Sequence, residues 1–188
     1  MMHLSILLLA ALLAAPPSPA VLQLIAGIND VAQDGASPIA KAWQVLKLAA
    51  SRASPEAVDD EYHALFIGVS RGEVVPYGSY YTTGFLTDKP LALLRRDLEA
   101  LGFERQSDVR EPEDHAAALC EVMSLIIASV DEIPIDTQRR FFEDHVGGWM
   151  GELFADLQRS DSARFYGAVG DLGEQFMRLE GTYLSMMG

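Results

Sequence analysis

Residues 165–183, FYGAVGDLGEQFMRLEGTY, decide the class of the fold. Phe165, Val169, Leu172, Phe176, Leu179 and Tyr183 recur at alternating steps of four and three. That spacing lays an apolar seam along one side of a helix, and such a seam needs partner helices. The rest of the chain supplies them. Leu119, Val122, Met123, Ile126, Ile127 and Val130 share one helical face. Leu91, Leu94, Leu98 and Leu101 share another, closed by Gly102 as a left-handed cap. Val58, Tyr62, Leu65, Phe66 and Val69 fall at offsets of three and four, and Ile39, Trp43, Leu46 and Ala50 lie on one face. Three times a serine precedes a proline, at Ser18-Pro19, Ser37-Pro38 and Ser54-Pro55. A serine N-cap followed by proline at the first helical position is a helix start. The first of these predicts a short helix over Pro19 to Val31, and Asp34-Gly35-Ala36-Ser37 reads as a turn. A helix opened by Pro134 carries Phe141, Phe142 and Val146, and Gly147-Gly148 and Gly151 predict a kink or break at its far end. Gly68 to Gly84 reads as an irregular, glycine-rich loop ending in a short helical turn, and Glu104 to Arg110 as a charged connector. Period-2 alternation is scarce. The expectation is an all-α bundle in a single domain, residues 1–188.

Charge and cysteine usage narrow the function. The chain has 188 residues with 14 Lys and Arg against 27 Asp and Glu, a net −13. That argues against nucleic acid and anionic membrane surfaces, which call for a basic footprint, and suits a basic partner. One cysteine, Cys120, excludes an internal disulfide and any cysteine-based zinc site, and it reads as a small buried hydrophobe. Leu4 to Ala15 is almost purely apolar but stops at Pro16-Pro17, short of the ~20 residues of a membrane span. Two readings of it remain. A secretory signal would end at Ser18-Pro19-Ala20, yet only Met1, Met2 and His3 precede the apolar run, where a signal carries basic residues. A core helix apolar all round fits equally, with the proline pair ending it.

Catalytic signatures are missing. The sequence holds no G-x-x-x-x-G-K loop, no G-x-G-x-x-G and no H-E-x-x-H, and no nucleophile elbow frames a serine. His3, His63, His115 and His145 include no pair four residues apart. No cofactor is implied.

Three stretches carry recognition chemistry instead. Glu111-Pro112-Glu113-Asp114-His115 reads as a helix start, with Pro112 in the first turn and acids at the positive end of the helix dipole. His115 stands at the head of the apolar stripe, four residues before Leu119, where a buried imidazole needs a partner. Pro76-Tyr77-Gly78-Ser79-Tyr80-Tyr81 places tyrosines on a glycine-rich loop, either to pin it to the core or to offer a flat binding platform. Glu61-Tyr62-His63-Ala64-Leu65-Phe66-Ile67-Gly68 reads as ordinary core helix.

Together, in this order and spacing, these stretches resemble the TorD/DmsD/NarJ-type chaperones of redox-enzyme maturation. Tyr62-x-x-Leu65-Phe66-x-Gly68 is similar to the first motif of that family. Pro76-Tyr77-x-Ser79-x-Tyr81, followed by Gly84, Leu86 and Pro90, is similar to the second. Glu111-Pro112-x-Asp114-His115 resembles the E-P-x-D-H signature, and Phe142, His145 and Trp149 resemble an F-x-x-H-x-x-x-W segment. The resemblance runs from about residue 4 to about residue 180 and implies that residues 1–17 are a first core helix.

It also implies a function. Such chaperones are cytoplasmic, all-α and non-catalytic. They bind the precursor of a molybdopterin enzyme, often through its twin-arginine signal peptide, and hold it back from export during cofactor insertion. Formate dehydrogenase-like and dimethyl sulfoxide or trimethylamine oxide reductase-like enzymes are the implied clients. A monomer or a domain-swapped dimer is implied, with no integral membrane span. An apolar groove edged by carboxylates suits a peptide that is basic at one end and apolar beyond. On that reading Leu65, Phe66, Tyr77 and Trp149 line the groove. Asp114, with Glu61, meets a guanidinium. His115 orients Asp114 or donates to the peptide backbone. Pro76, Ser79, Tyr81 and Pro112 complete the peptide-binding set. The rival reading is a helical adaptor that grips a folded redox-enzyme subunit without a signal peptide.

Overall fold

The computed structural model describes residues 2–28, 37–105, 110–129 and 131–187. Among these residues it is a bundle of ten α-helices with a single isolated β-bridge and no strand. The long helix α10, Phe165–Met186, is its axle. It packs against α9 (Met150–Arg159), α3 (Pro38–Arg52), α1 (Met2–Ala14), α8 (Ile135–Phe142) and α4 (Pro55–Tyr62). The expected seam is buried at Phe165, Val169, Leu172 and Phe176. Gly173 lets α10 come close to α9, because a Cβ there would stand 2.3 Å from the Phe154 ring.

Each serine–proline start works as read. Ser18, Ser37 and Ser54 accept hydrogen bonds from the amides of Val21, Ala40 and Ala57 at 3.2–3.4 Å, opening α2 (Pro19–Gly27), α3 and α4. The predicted end of α2 at Val31, most of the turn at residues 34–37, most of the charged connector and Val130 lie outside the described residues. Gly102 adopts φ +79° and ends α6 (Lys89–Ala100) as expected.

Helix α1 is apolar on every side and lies against α7 (Ala116–Ala128) and α10. Its last carbonyls have no intrahelical donor. Tyr166 donates its hydroxyl to Leu12 at 2.9 Å and Tyr62 to Leu13 at 3.3 Å. Two tyrosines of distant helices thus finish α1 just before the proline pair. Among the described residues, no helix is long and apolar enough to cross a membrane.

Two helices depart from the regular reading. α4 widens into a π-helical turn at His63–Ile67, so Val69 leaves the apolar face and is exposed. The chain then doubles back, and the amides of Glu73 and Val74 bond the end-of-helix carbonyls of Ala64 and Leu65 at 3.3 and 2.8 Å. α8 likewise ends in a π-helical turn, Glu143–Gly147, where the glycines predicted a break. Cys120 is fully buried, 3.7 Å from the Met150 sulfur, and burial pushes its thiol up to about 12.

Glu61, 8 % exposed, is a tertiary cap. Its carboxylate accepts the amides of Arg164 (2.7 Å), Phe165 (3.0 Å) and Tyr166 (2.6 Å) at the start of α10. A carboxylate is the right group at the positive end of a helix dipole, and the three donors have no partner in the helix itself. Glu61→Ala strands these buried amides and is expected to cost about 3 kcal/mol. Urea unfolding with a loss of only a few tenths would refute the capping role.

Glu180 in α10 is 1 % exposed, and its Oε2 has no hydrogen-bond donor among the described residues. Burial raises its carboxyl from 4.5 to about 7. The folded chain therefore favours the protonated acid. The resulting stability is complete below the ordinary value of 4.5 and is lost as the pH rises through about 7. Glu180→Gln is expected to gain on the parent between about pH 5 and about pH 8 in urea unfolding. Parallel curves would mean that the acid is ionised or solvated in the native state.

Candidate functional site

The site is built around a backbone bridge between residues 76–78 and 114–116. The Gly78 amide donates to Asp114 O at 2.9 Å and the Ala116 amide to Pro76 O at 2.8 Å, pairing Tyr77 with His115. The Asp114 carboxylate, 3 % exposed, accepts the Ser79 amide at 2.8 Å and so fastens the short helix α5 (Gly78–Thr83) to this corner. Its Oδ1 is buried without a donor among the described residues. Two sequence motifs 35 residues apart are one structural unit.

The helix start differs from the reading of the sequence. Residues 111–114 form a turn, and α7 begins at Ala116. Pro112 therefore lies outside the first helical turn, and its carbonyl accepts the His115 amide at 3.1 Å. His115 is the N-cap: its Nδ1 accepts the Ala117 amide at 3.1 Å. The same bond leaves Nε2 to carry the ring proton. Burial lowers the imidazole pKa against the opposing pull of Glu111 and Asp114. Tyr77 stacks its ring edgewise on His115, centroids 5.0 Å apart, and donates its hydroxyl to Glu111. Burial and that bond raise the phenol, so Tyr77 stays protonated.

Beside this corner lies an apolar groove of about 550 Å³. One wall is α1, through Leu7, Ala10, Ala11 and Ala14. The start of α7, packed against α1, adds Ala117 and Ala118, with Glu121 also lining the hollow. Tyr62, Phe66 and Ile67 from the end of α4 and Pro76, Tyr77, His115 and Glu111 complete the lining. Short alanine side chains on α1 and α7 leave this surface open. Among the described residues no cation pairs with Glu111 or Glu121, so the rim is negative.

Of the expected binding residues, Phe66, Pro76, Tyr77 and His115 line this groove. The others stand behind it. Leu65 is 0 % exposed in the core. Trp149, 4 % exposed, donates Nε1–H to His145 O at 2.8 Å and stacks on Tyr81 at 5.5 Å. Gly78 lies against that indole, where a Cβ would come within 3.1 Å. Tyr81 donates to Asp156 at 2.8 Å, and the Ser79 hydroxyl accepts the Thr87 amide at 3.2 Å. Glu61 accepts backbone amides through both oxygens and Asp114 through Oδ2, and neither lines the groove, where the acids are Glu111 and Glu121. The α1 wall was missed by the sequence reading. The signal available was alanine clustered at helical spacing in a helix apolar all round.

A second alanine-lined hollow, about 820 Å³, lies between α3, α4 and the start of α10. Arg52 and Arg164 stand on its rim beside Asp60, which gives it mixed charge. Among the described residues no group of His, Cys, Asp or Glu is arranged to hold a metal ion.

Residues 32–155 match the family of the nitrate reductase delta subunit. The chain belongs to that family, the TorD/NarJ-type chaperones. It is 27% identical over 123 residues to the chaperone protein TorD of Vibrio cholerae, covering 61% of this chain and 56% of that one. To TorD of Shewanella piezotolerans it is 28% identical over 142 residues, covering 69% and 62%. The matched part thus spans a little over half the length of the Vibrio relative. In structure it is similar to a redox enzyme maturation protein of Archaeoglobus fulgidus, with a TM-score of 0.56 over 98% of this chain and 94% of that chain at 18% identity. The helical bundle is therefore shared with that protein.

A histidine whose pKa is lowered by folding stabilises the fold in full above its ordinary 6.5, and that stability is lost as the pH falls through the folded value. Protonation would also turn the capping Nδ1 from acceptor to donor. His115→Asn, which keeps a capping acceptor without titrating, is expected to lose less stability than the parent below about pH 6.5. Thermal melts that fall equally in both proteins would contradict this role.

Proposed function

We infer that the chain is a non-catalytic chaperone that holds a molybdoenzyme precursor by the twin-arginine signal peptide, in the cytoplasm, while the molybdopterin cofactor is inserted. The observation that supports this most is the pairing of an alanine-rich apolar groove with acids that meet no cation among the described residues. The apolar stretch of a signal peptide fits the first, and an arginine side chain fits the second through a charge-assisted bond. Phe66, Pro76 and Tyr77 offer apolar surface, and His115 Nε2–H offers one donor to a peptide carbonyl. Glu61, Leu65, Ser79, Tyr81, Pro112, Asp114 and Trp149 act by holding these groups in place. The likeness to TorD chaperones supports the client class, an enzyme of the trimethylamine oxide, dimethyl sulfoxide or formate dehydrogenase kind.

Fluorescence anisotropy with a labelled peptide bearing an arginine pair and an apolar stretch tests this. Ala11 is exposed in the groove wall, so Ala11→Trp fills the hollow while the core is untouched. Binding is expected to weaken at least about tenfold in the variant and to weaken with rising salt in the parent. Equal binding by both proteins would overturn the site. Failure to bind the isolated peptide, with capture of the folded enzyme body, would instead support the adaptor reading.

A further inference from the structure

We propose that the groove is bipartite, and that a second hollow beyond its acidic rim takes an apolar side chain of the same peptide, on the far side of the basic residues. This rests on the peptide-binding reading above and extends it. The second hollow is about 230 Å³ and is walled by Leu98, Phe103, Val122 and Leu125. It shares Glu111, Ala118 and Glu121 with the first hollow, so the two meet at those residues. That shared boundary carries two carboxylates.

Charge sorts the rim. Glu113, on the second hollow, is neutralised by Arg95 at 2.8 Å and by Arg105 at 3.8 Å. Among the described residues Glu111 receives a neutral donor, the Tyr77 hydroxyl, and neither Glu111 nor Glu121 has an ion pair. A chain laid across both hollows must cover Glu111 and Glu121. Covering a carboxylate with apolar groups is costly, and a cation at that point removes the cost. The required occupant reads apolar run, then arginine, then a further apolar side chain. The smaller hollow, less than half the volume of the first, suits one or two side chains and not a run.

The test uses two labelled peptides that share the apolar stretch and the arginine pair. One has leucine on the far side of the arginines, the other serine. They are titrated against the intact chain, Leu125→Ser and Val122→Thr. Leu125 is half exposed and Val122 half-buried, and unchanged far-ultraviolet circular dichroism checks that each variant keeps the fold. The leucine peptide is expected to bind the parent about tenfold more tightly than the serine peptide, and this advantage is expected to shrink in either variant. Equal affinity of the two peptides for the parent would show the second hollow empty and overturn the proposal, while leaving the first groove occupied. No binding of either peptide to the parent would overturn the peptide-binding reading, and the bipartite groove with it.

Discussion

The pairing of residues 76–78 with residues 114–116 is the constraint on which the site depends. Two backbone hydrogen bonds and the Asp114 carboxylate on the Ser79 amide lock a tyrosine-bearing loop to the start of α7. Asp114 gives its Oδ2 to that lock, and it does not line the groove. Because it is locked, Tyr77 and His115 stand ring to ring, and the Tyr77 hydroxyl reaches Glu111. The groove floor is thus set by backbone geometry, and the residues that face it are few.

A division of labour follows through the motif residues. One group faces the hollow: Phe66, Pro76, Tyr77, Glu111 and His115. A second group builds the support. Trp149 stacks on Tyr81 of α5, and Tyr81 is tied to α9 through Asp156. Glu61 fixes the N-terminus of α10, and Tyr166 of α10 fixes the C-terminus of α1, the groove wall. Position 61 therefore reaches the site through two helix ends and without contact. The buried carboxylates of Glu61 and Asp114 are tolerated because each accepts amides that need an acceptor.

How much of this was legible in the sequence follows the physics of each signal. Helix faces and serine–proline caps are local, and a few residues suffice to specify them. The chain order of the three recognition motifs gave the family. What stayed hidden was which side of a carboxylate faces solvent. Glu61, Glu111 and Asp114 look alike as letters, and only the fold separates a cap, a rim acid and a lock. The hollow itself is a lack of side-chain volume summed over α1 and α7, two helices about a hundred residues apart, so no local window displays it. The π-helical turns likewise reflect chain that returns later, at Glu73 and Val74 for α4. Residues 111–114 suited a helix start by composition, and the structure uses them as the turn before one because Asp114 is held by Ser79.

The central claim is that an apolar peptide lies in the groove lined by α1 and the start of α7. Isotope-edited nuclear Overhauser contacts between an unlabelled arginine-pair peptide and the methyl-labelled chain test it most directly. The account predicts contacts from the peptide to the methyls of Ala10, Ala11, Ala117 and Ala118. Contacts confined to Ala49, Ala53 and Ala57, in the other alanine-lined hollow, would contradict it.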